Sequence, residues 1–583
     1  TGYKTNLRTT ITANFKLAQE LDMITKGLKF TGLFSFKNYS SSSTERSASY
    51  NHYYMSSYDP SSMEYKITRI GDEQSTALTN DGSRNGDRKM YFQAILDYNR
   101  IFKEVHDLNI MFLYNQEQYD INGPTTLFSS LPQRKQGVAG RVSYSYDGRY
   151  YIEGNFGYNG SENFAKGHRF GFFPSIAVGY NISNEKFWQP IKPVISNLKI
   201  RGSWGLVGND ATNAGRFAYM EDLVLGGSDS YTTGIRQDTY YSGPSWNRYF
   251  NPDLTWEVGE KINLGLDLQL FNDFNLTFDI FREKRRDIFM TRENSIPEIV
   301  GTGETKITSN NGEMENKGLD LAIDYNKQIT KDFFLSFKST LTFARNKVLK
   351  MDEPPYFEYP GLSDVGHPLG TYWGYVADGL FPDQETIDNS PRQDLGYTPQ
   401  PGDIKYVNQP NAKGEYDNVI NSNDRVAIGH PYDPELVYGF GPSMKWKNWD
   451  FSFFFQGVAP TSFMMYGMHP FGTTSIKNML QFVADDHWSV DNPNPNAAYP
   501  RLTKDSNGNN EQYSTYWLRN AAFLKLKNAE IGYTYKGMRF YLSGVNLLTF
   551  SPFKHWDPEM GGGNGLYYPT QRVFNIGFQM TIQ

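Results

Sequence analysis

The chain has 583 residues, 57 Lys and Arg against 63 Asp and Glu, a formal net charge of −6 and no cysteine. The missing cysteines exclude thiol catalysis, cysteine zinc sites and disulfides, and no basic cluster offers the electrostatic footprint that nucleic acid requires. No run approaches the ~18–20 apolar residues of a membrane helix, and the length exceeds the ~250–300 residues at which a single soluble core stops growing.

Runs alternating apolar with polar residues predict about 17 strands. In chain order they cover 3–17, 28–37, 89–101, 105–119, 137–146, 149–160, 171–182, 198–207 and 256–270. The remainder cover 273–284, 316–327, 333–346, 436–446, 449–458, 524–535, 538–548 and 572–583. Turn chemistry is clearest at Asp147-Gly148, Asn272-Asp273, Lys447-Asn448 and Lys536-Gly537. Long polar, aromatic-rich connections lie at 208–255, 285–315, 347–435 and 459–523.

A soluble sandwich could share the alternation, but not the beat of short turn, long loop, short turn, long loop. That beat belongs to an all-β, antiparallel transmembrane barrel of the outer membrane, with short periplasmic turns and long external loops. Aromatics at 16% of the chain suit interfacial girdles and ligand-facing loops. The two-residue period places Leu264, Leu266, Leu268, Leu276, Phe278, Ile280, Leu319, Leu321 and Ile323 on one face, predicted to meet lipid. An odd strand count that ends in the periplasm leads to the expectation that further strands precede Thr1, so that the chain forms part of a larger barrel. No signal peptide is visible at Thr1; one was removed, or the chain is not complete.

Several segments narrow the reading. They include Phe173-Pro174-Ser175-Ile176, Asn197-Leu198-Lys199-Ile200-Arg201-Gly202-Ser203-Trp204-Gly205 and Asn251-Pro252-Asp253-Leu254-Thr255-Trp256-Glu257. Further on stand Gly366-His367-Pro368-Leu369-Gly370, Gly374-Tyr375-Val376-Ala377-Asp378-Gly379-Leu380-Phe381, Pro401-Gly402-Asp403-Ile404 and Leu518-Arg519-Asn520-Ala521-Ala522-Phe523. In this order, from about Phe173 to the end, they resemble the SusC/RagA family of TonB-dependent outer-membrane transporters of Bacteroidetes. The resemblance implies a barrel of about 22 strands around an N-terminal plug. The plug and TonB box are not among these residues, so coupling to the TonB complex would run through the N-terminal region missing here. It also implies a SusD-like surface lipoprotein as partner and an oligosaccharide, or alternatively a peptide, as cargo. A passive porin, a surface binding protein and a secreted glycan-active enzyme are the competing classes.

No catalytic constellation supports an enzyme. The acidic pairs Asp485-Asp486 and Asp352-Glu353 read as solvated loop charge, and the eight histidines show no paired ligand spacing. Where relatives carry a calcium-like loop, this chain retains only Asp417, Asn421, Asn423 and Asp424, without the ligand spacing, so neither metal nor cofactor is expected. Gly561-Gly562-Gly563-Asn564-Gly565 reads as a flexible loop tip. The candidate substrate-binding residues are loop aromatics: Tyr241, Trp246 and Tyr249 in one loop, and Tyr372, Trp373 and Tyr375 in another. A third group, Phe463, Tyr466, His469 and Phe471, marks a further loop. Their faces can stack on sugar rings or peptide side chains, or pack against a partner protein.

Overall fold

The computed structural model describes residues 2–74, 77–124, 126–211, 215–226, 230–292, 294–300, 307–467, 480–503 and 506–580. His469 and Phe471, and the last three residues of the final predicted strand, lie outside that set. Seventeen strands fall in one antiparallel sheet. They are β1 (Gly2–Glu20), β2 (Leu28–Ser47), β3 (Thr79–Phe102), β4 (His106–Asn122), β5 (Gln133–Tyr146) and β6 (Tyr150–Ser161). Then come β7 (Phe170–Asn181), β8 (Ile195–Asn209), β9 (Glu257–Leu270), β10 (Phe274–Arg292), β11 (Ile307–Thr330) and β12 (Phe333–Lys350). The last are β13 (Leu436–Trp446), β14 (Trp449–Ala459), β15 (Phe523–Tyr535), β16 (Met538–Phe550) and β17 (Val573–Met580). The chain divides into two compact units. The first comprises Thr1–Tyr144, Glu153–Pro174 and Asp210–Trp256, and the second Ser145–Ile152, Ser175–Asn209 and Glu257–Gln583.

In the first unit β1 pairs with β2, β2 with β3 and β3 with β4. One face collects Phe15, Phe34 and Phe92 in a single cross-strand row. Lys16, Leu33 and Gln93 make the adjacent row on the other face.

In the second unit pairing runs from β7 through β17, each strand joined to the next. The register is the structural fact that matters most. Ile200, Leu266, Phe278, Leu321 and Leu341 sit directly opposite one another across five strands. Leu264, Ile280, Leu319 and Phe343 form the next row on the same face, and Leu268, Leu276 and Ile323 the one beyond. At the short-turn end Phe333, Trp446, Trp449, Tyr533, Phe540 and Phe578 make an unbroken aromatic row. An interfacial girdle has this form.

The opposite face carries ions. Arg201 and Asp279 flank Gly265 in one row, and the Arg201 guanidinium passes over the glycine to hold both Asp279 oxygens, at 2.7 and 2.6 Å. Asp267 accepts from Arg201 Nε at 3.3 Å. Asp450 sits opposite Gly532, and the Arg539 guanidinium, from two residues along the next strand, lies over that glycine and donates from Nε to Asp450 at 3.0 Å.

Three expectations need correction. The connection expected at 285–315 is shorter, because β10 runs on to Arg292 and β11 begins at Ile307. Apolar alternation fails there, but ion pairs such as Lys284–Glu313 at 3.0 Å and Arg285–Glu257 at 3.1 Å tie the charged extensions together. β2 likewise continues to Ser47 through a serine-rich stretch that carries no apolar signal. The turn after β9 places positive φ on Phe271 and Asn272, one residue earlier than expected, and the β3–β4 turn places it on Lys103 and Glu104, which carry no turn signature.

Replacing Gly265 by Ala puts a methyl 2.4 Å from Arg201 Cζ and 2.7 Å from Asp279 Oδ1. We expect a loss of about 1–3 kcal/mol, the ordinary cost of overpacking. The check is a urea unfolding midpoint against Gly154→Ala, where the same methyl meets nothing within 4 Å; equal midpoints would refute the account.

Candidate functional site

In the first unit the connection 210–256 is anchored at both ends. Asp210 accepts from Lys135 Nζ at 2.8 Å and Ser161 Oγ at 2.6 Å. At the far end Leu254 and Trp256 are buried. Trp256 packs on Phe164 and Phe173 and donates its indole N–H to the Arg169 carbonyl at 3.1 Å, which accounts for the Asn-Pro-Asp-Leu-Thr-Trp segment. Between the anchors Tyr241 stacks on Tyr231 with centroids 5.2 Å apart, and Trp246 stacks on Tyr249 at 5.3 Å. Tyr231 and Tyr241 keep 58% and 46% of their surface exposed, so this pair presents a ring platform.

In the second unit the connections 351–435, 460–522 and 551–572 fold together around a hydrophobic core of their own. Ile404, Tyr406, Ile420, Phe463, Met465, Tyr499, Trp517 and Phe553 belong to it. Its polar hub is Asp403, fully buried. Asp403 accepts from Arg501 Nε at 2.7 Å, from the side-chain amides of Asn507 and Asn510 at 3.0 and 2.9 Å, and from the Gln400 amide at 2.8 Å. A buried carboxylate is stable only when so paired. Gly402, at φ 89°, precedes it where a Cβ would strike the Trp488 ring at 2.2 Å. The Pro-Gly-Asp-Ile segment is therefore a packing device. Lys525 on β15 is equally buried and holds Asp557 at 2.7 Å and also Glu559. Burial, the largest single effect, pushes Asp557 and Glu559 up, but hydrogen bonds from Lys525, joined by Thr570 on Asp557 and by Lys527 on Glu559, together outweigh it and hold both below their ordinary range.

The side chains of Asp417, Asn421 and Asp424 close their own turns. Asp424 accepts from the amides of Gln409 and Asn421 at 2.7 and 2.8 Å, Asp417 from that of Val419 at 3.0 Å, and Asn421 from that of Asn423 at 2.8 Å.

Of the aromatics predicted in this unit, Tyr375 is 3% exposed and packs on Tyr406 inside the core. Trp373 is half-buried, donates to Asp364 at 2.7 Å and carries His367 edge-on at 5.1 Å. Tyr372 points elsewhere, into a group of which the sequence marks only Tyr466 as a candidate. Its neighbours are Tyr432, Tyr513 and Tyr466, and Tyr567 adjoins Tyr466. Tyr466, Tyr513, Tyr432 and Tyr567 are each about half exposed. They come from three separate connections, so no local pattern announces them. The glycine segment organises them and is not a flexible tip: Gly563 donates to the Met464 carbonyl at 2.9 Å and accepts from Tyr466 N at 3.2 Å. Gly562 lies where a Cβ would meet that Met464 oxygen at 2.3 Å.

Burial pushes Tyr372 up to about 12 from an ordinary 10.0, and raises Tyr406 and Tyr516 as well. An acid whose pKa is raised by folding stabilises the folded state below its unfolded pKa, and that contribution is lost as pH climbs through the raised value. The loop body should therefore be stable below pH 10 and loosen between pH 10 and about 12. Thermal melts followed by tryptophan fluorescence should show the midpoint falling across that window, and less steeply in Tyr372→Phe. A midpoint independent of pH there would contradict the assignment.

The profile of the family described as TonB dependent receptor-like, beta-barrel matches residues 1–547. TonB-dependent receptor P3 of Formosa agariphila is 27% identical over 478 residues, covering 76% of this chain and 45% of that protein. TonB-dependent receptor SusC of Bacteroides thetaiotaomicron is 28% identical over 468 residues, covering 76% and 43%. The chain thus spans about half the length of the curated relatives it matches. Among solved structures, that of the RagAB peptide transporter superposes with a TM-score of 0.75 at 19% identity, over 99% of this chain and 62% of that one, a likeness of fold. Barrels of this family reside in the outer membrane. The chain belongs to the TonB-dependent receptor β-barrel family, of SusC/RagA type.

Proposed function

We propose that this chain forms the wall and outer loops of a transporter that imports an oligosaccharide, captured together with a SusD-like surface lipoprotein and driven by the TonB complex. The observation that carries the cargo reading is the tyrosine group of the loop body: four half-exposed, uncharged phenols, with Tyr372 behind them, on a rigid base. Flat rings with a hydroxyl at the tip suit a ligand made of alternating C–H faces and hydroxyls. In the other unit the Tyr231–Tyr241 platform and the Trp246–Tyr249 stack are proposed contacts of the same kind. Trp373 and Tyr375 serve from behind, holding the strand that presents Tyr372. The polar face of the sheet would line a wet passage.

A second reading, peptide import, is favoured by the likeness in fold to the RagAB peptide transporter. The two separate in one experiment. Full-length protein with its lipoprotein is purified from outer membranes, and binding of neutral oligosaccharide and of peptide mixtures is measured by calorimetry. For the oligosaccharide, Tyr432→Ala and Tyr513→Ala should each weaken affinity roughly tenfold, about 1.4 kcal/mol. Affinity for peptides alone, equally reduced, would move the assignment to the second reading. Neither class binding, or no lipoprotein co-purifying, would overturn the proposal.

A further inference from the structure

The face that carries the aliphatic rows does not stay apolar to its end. Two residues beyond the row Ile280–Leu319–Phe343, towards the long connections, stands the row Arg282–Lys317–Arg345. One row further stands Lys284–Glu315–Lys347. Residues two apart on a strand share a face and lie about 7 Å apart. The cations therefore sit on the lipid side, one step above the apolar band, at the depth where headgroups begin.

The acids that accompany them are covered, while the cations stay exposed. Arg345 binds Glu435 at 2.6 Å, yet the arginine side chain keeps 60% of its surface and the glutamate 5%. Glu315 takes Lys317 at 2.7 Å and Arg282 at 2.6 Å, with the glutamate 13% exposed and the cations 60% and 51%. Lys347 is exposed and makes no ion pair among the described residues. The surface presented is positive although the cluster is partly neutralised within. Lys317, Arg345 and Lys347 line a cavity of about 730 Å³ together with the apolar Ile280, Leu319 and Phe343 and with residues of the long connections that include His367, Pro368 and His430.

An apolar lining continuous with the lipid-facing rows, beside cations with covered counter-ions, matches one kind of occupant. We propose that this cleft binds an anionic lipid of the outer leaflet, its phosphate held by Lys317, Arg345 and Lys347 and its acyl portion lying on Ile280, Leu319 and Phe343. Arginine offers a planar fork to phosphate oxygens and lysine a point charge. Each basic side chain near an anionic surface adds measurably to retention. Ile280, Leu319, Phe343, Lys317, Arg345 and Lys347 share the aliphatic face and not the ion-laced one, so the proposed site is a lipid site, distinct from the path of any cargo.

The test uses full-length protein in nanodiscs of phosphatidylcholine doped with lipid A, in phosphorylated or dephosphorylated form, followed by native mass spectrometry. Wild type should retain the phosphorylated lipid in preference to the dephosphorylated one. Lys317→Gln with Lys347→Gln should reduce that retention roughly tenfold or more, while heat-modifiable gel mobility stays that of wild type. Inorganic phosphate at millimolar concentration should not displace the lipid. Equal retention of both lipids, an unaffected double variant, or displacement by free phosphate would each overturn the assignment. Should the double variant misfold, wild type alone decides: a photoactivatable phosphate-bearing lipid should label peptides containing Leu319 and Phe343, and labelling spread evenly along the apolar face would refute the site.

Discussion

A sheet inside hydrocarbon has no water to receive its backbone amides and carbonyls, so every strand must satisfy its neighbours along its whole membrane length. In this chain that demand fixes the register, and the register fixes nearly everything else. Once Leu266 is opposite Phe278 and Phe278 opposite Leu321, the aliphatic side chains fall into rows on one face. Gly265, Asp279 and Asp320 fall on the other. A slip of one residue would exchange the two faces of a strand and bring Asp279 into lipid. Stability and orientation are thus two aspects of one pairing.

Charge is then used differently on each side. On the polar face the arginines reach across a glycine to carboxylates two strands away, as Arg201 does to Asp279, and the ion pairs brace the sheet where packing against a core is impossible. On the apolar face of β10 to β12 charge stands beyond the last aliphatic row, with carboxylates covered and cations exposed. The same residue types stiffen one surface and tune the other to an anionic boundary. The loops follow a third logic: Asp403 within them and Lys525 on the adjoining β15 are wholly buried ions, each surrounded by partners, and they help turn three long connections into one folded body.

Much of this was legible in the sequence because a two-residue period is a strong signal when both faces differ. The predicted strand at 436–446 coincides with β13, and most others differ only at their ends. What escaped was structure without that contrast. The serine-rich end of β2 and the charged ends of β10 and β11 pair through backbone and ions, so hydropathy cannot mark them. The Lys103–Glu104 turn adopts positive φ under constraint from the strands it joins. The motif segments were recognisable as a resemblance, whereas their roles, such as the Asp403 hub, needed the packed loops. Tyr432, Tyr513 and Tyr567 are brought together from distant connections, and the glycine run that gathers them pairs with 464–466 in a way that no spacing rule encodes.

The two-faced register can be read out by cysteine scanning along β10. Single cysteines are placed at positions 274–281 of the full-length protein in its own membrane and exposed to a membrane-impermeant maleimide and to a lipid-soluble quencher after spin labelling. The account predicts a period of two: Leu276, Phe278 and Ile280 resist the maleimide and respond to the quencher, while Asn275, Thr277 and Asp279 do not respond to it. Ready maleimide labelling at Leu276, Phe278 and Ile280, or accessibility without alternation, would contradict it.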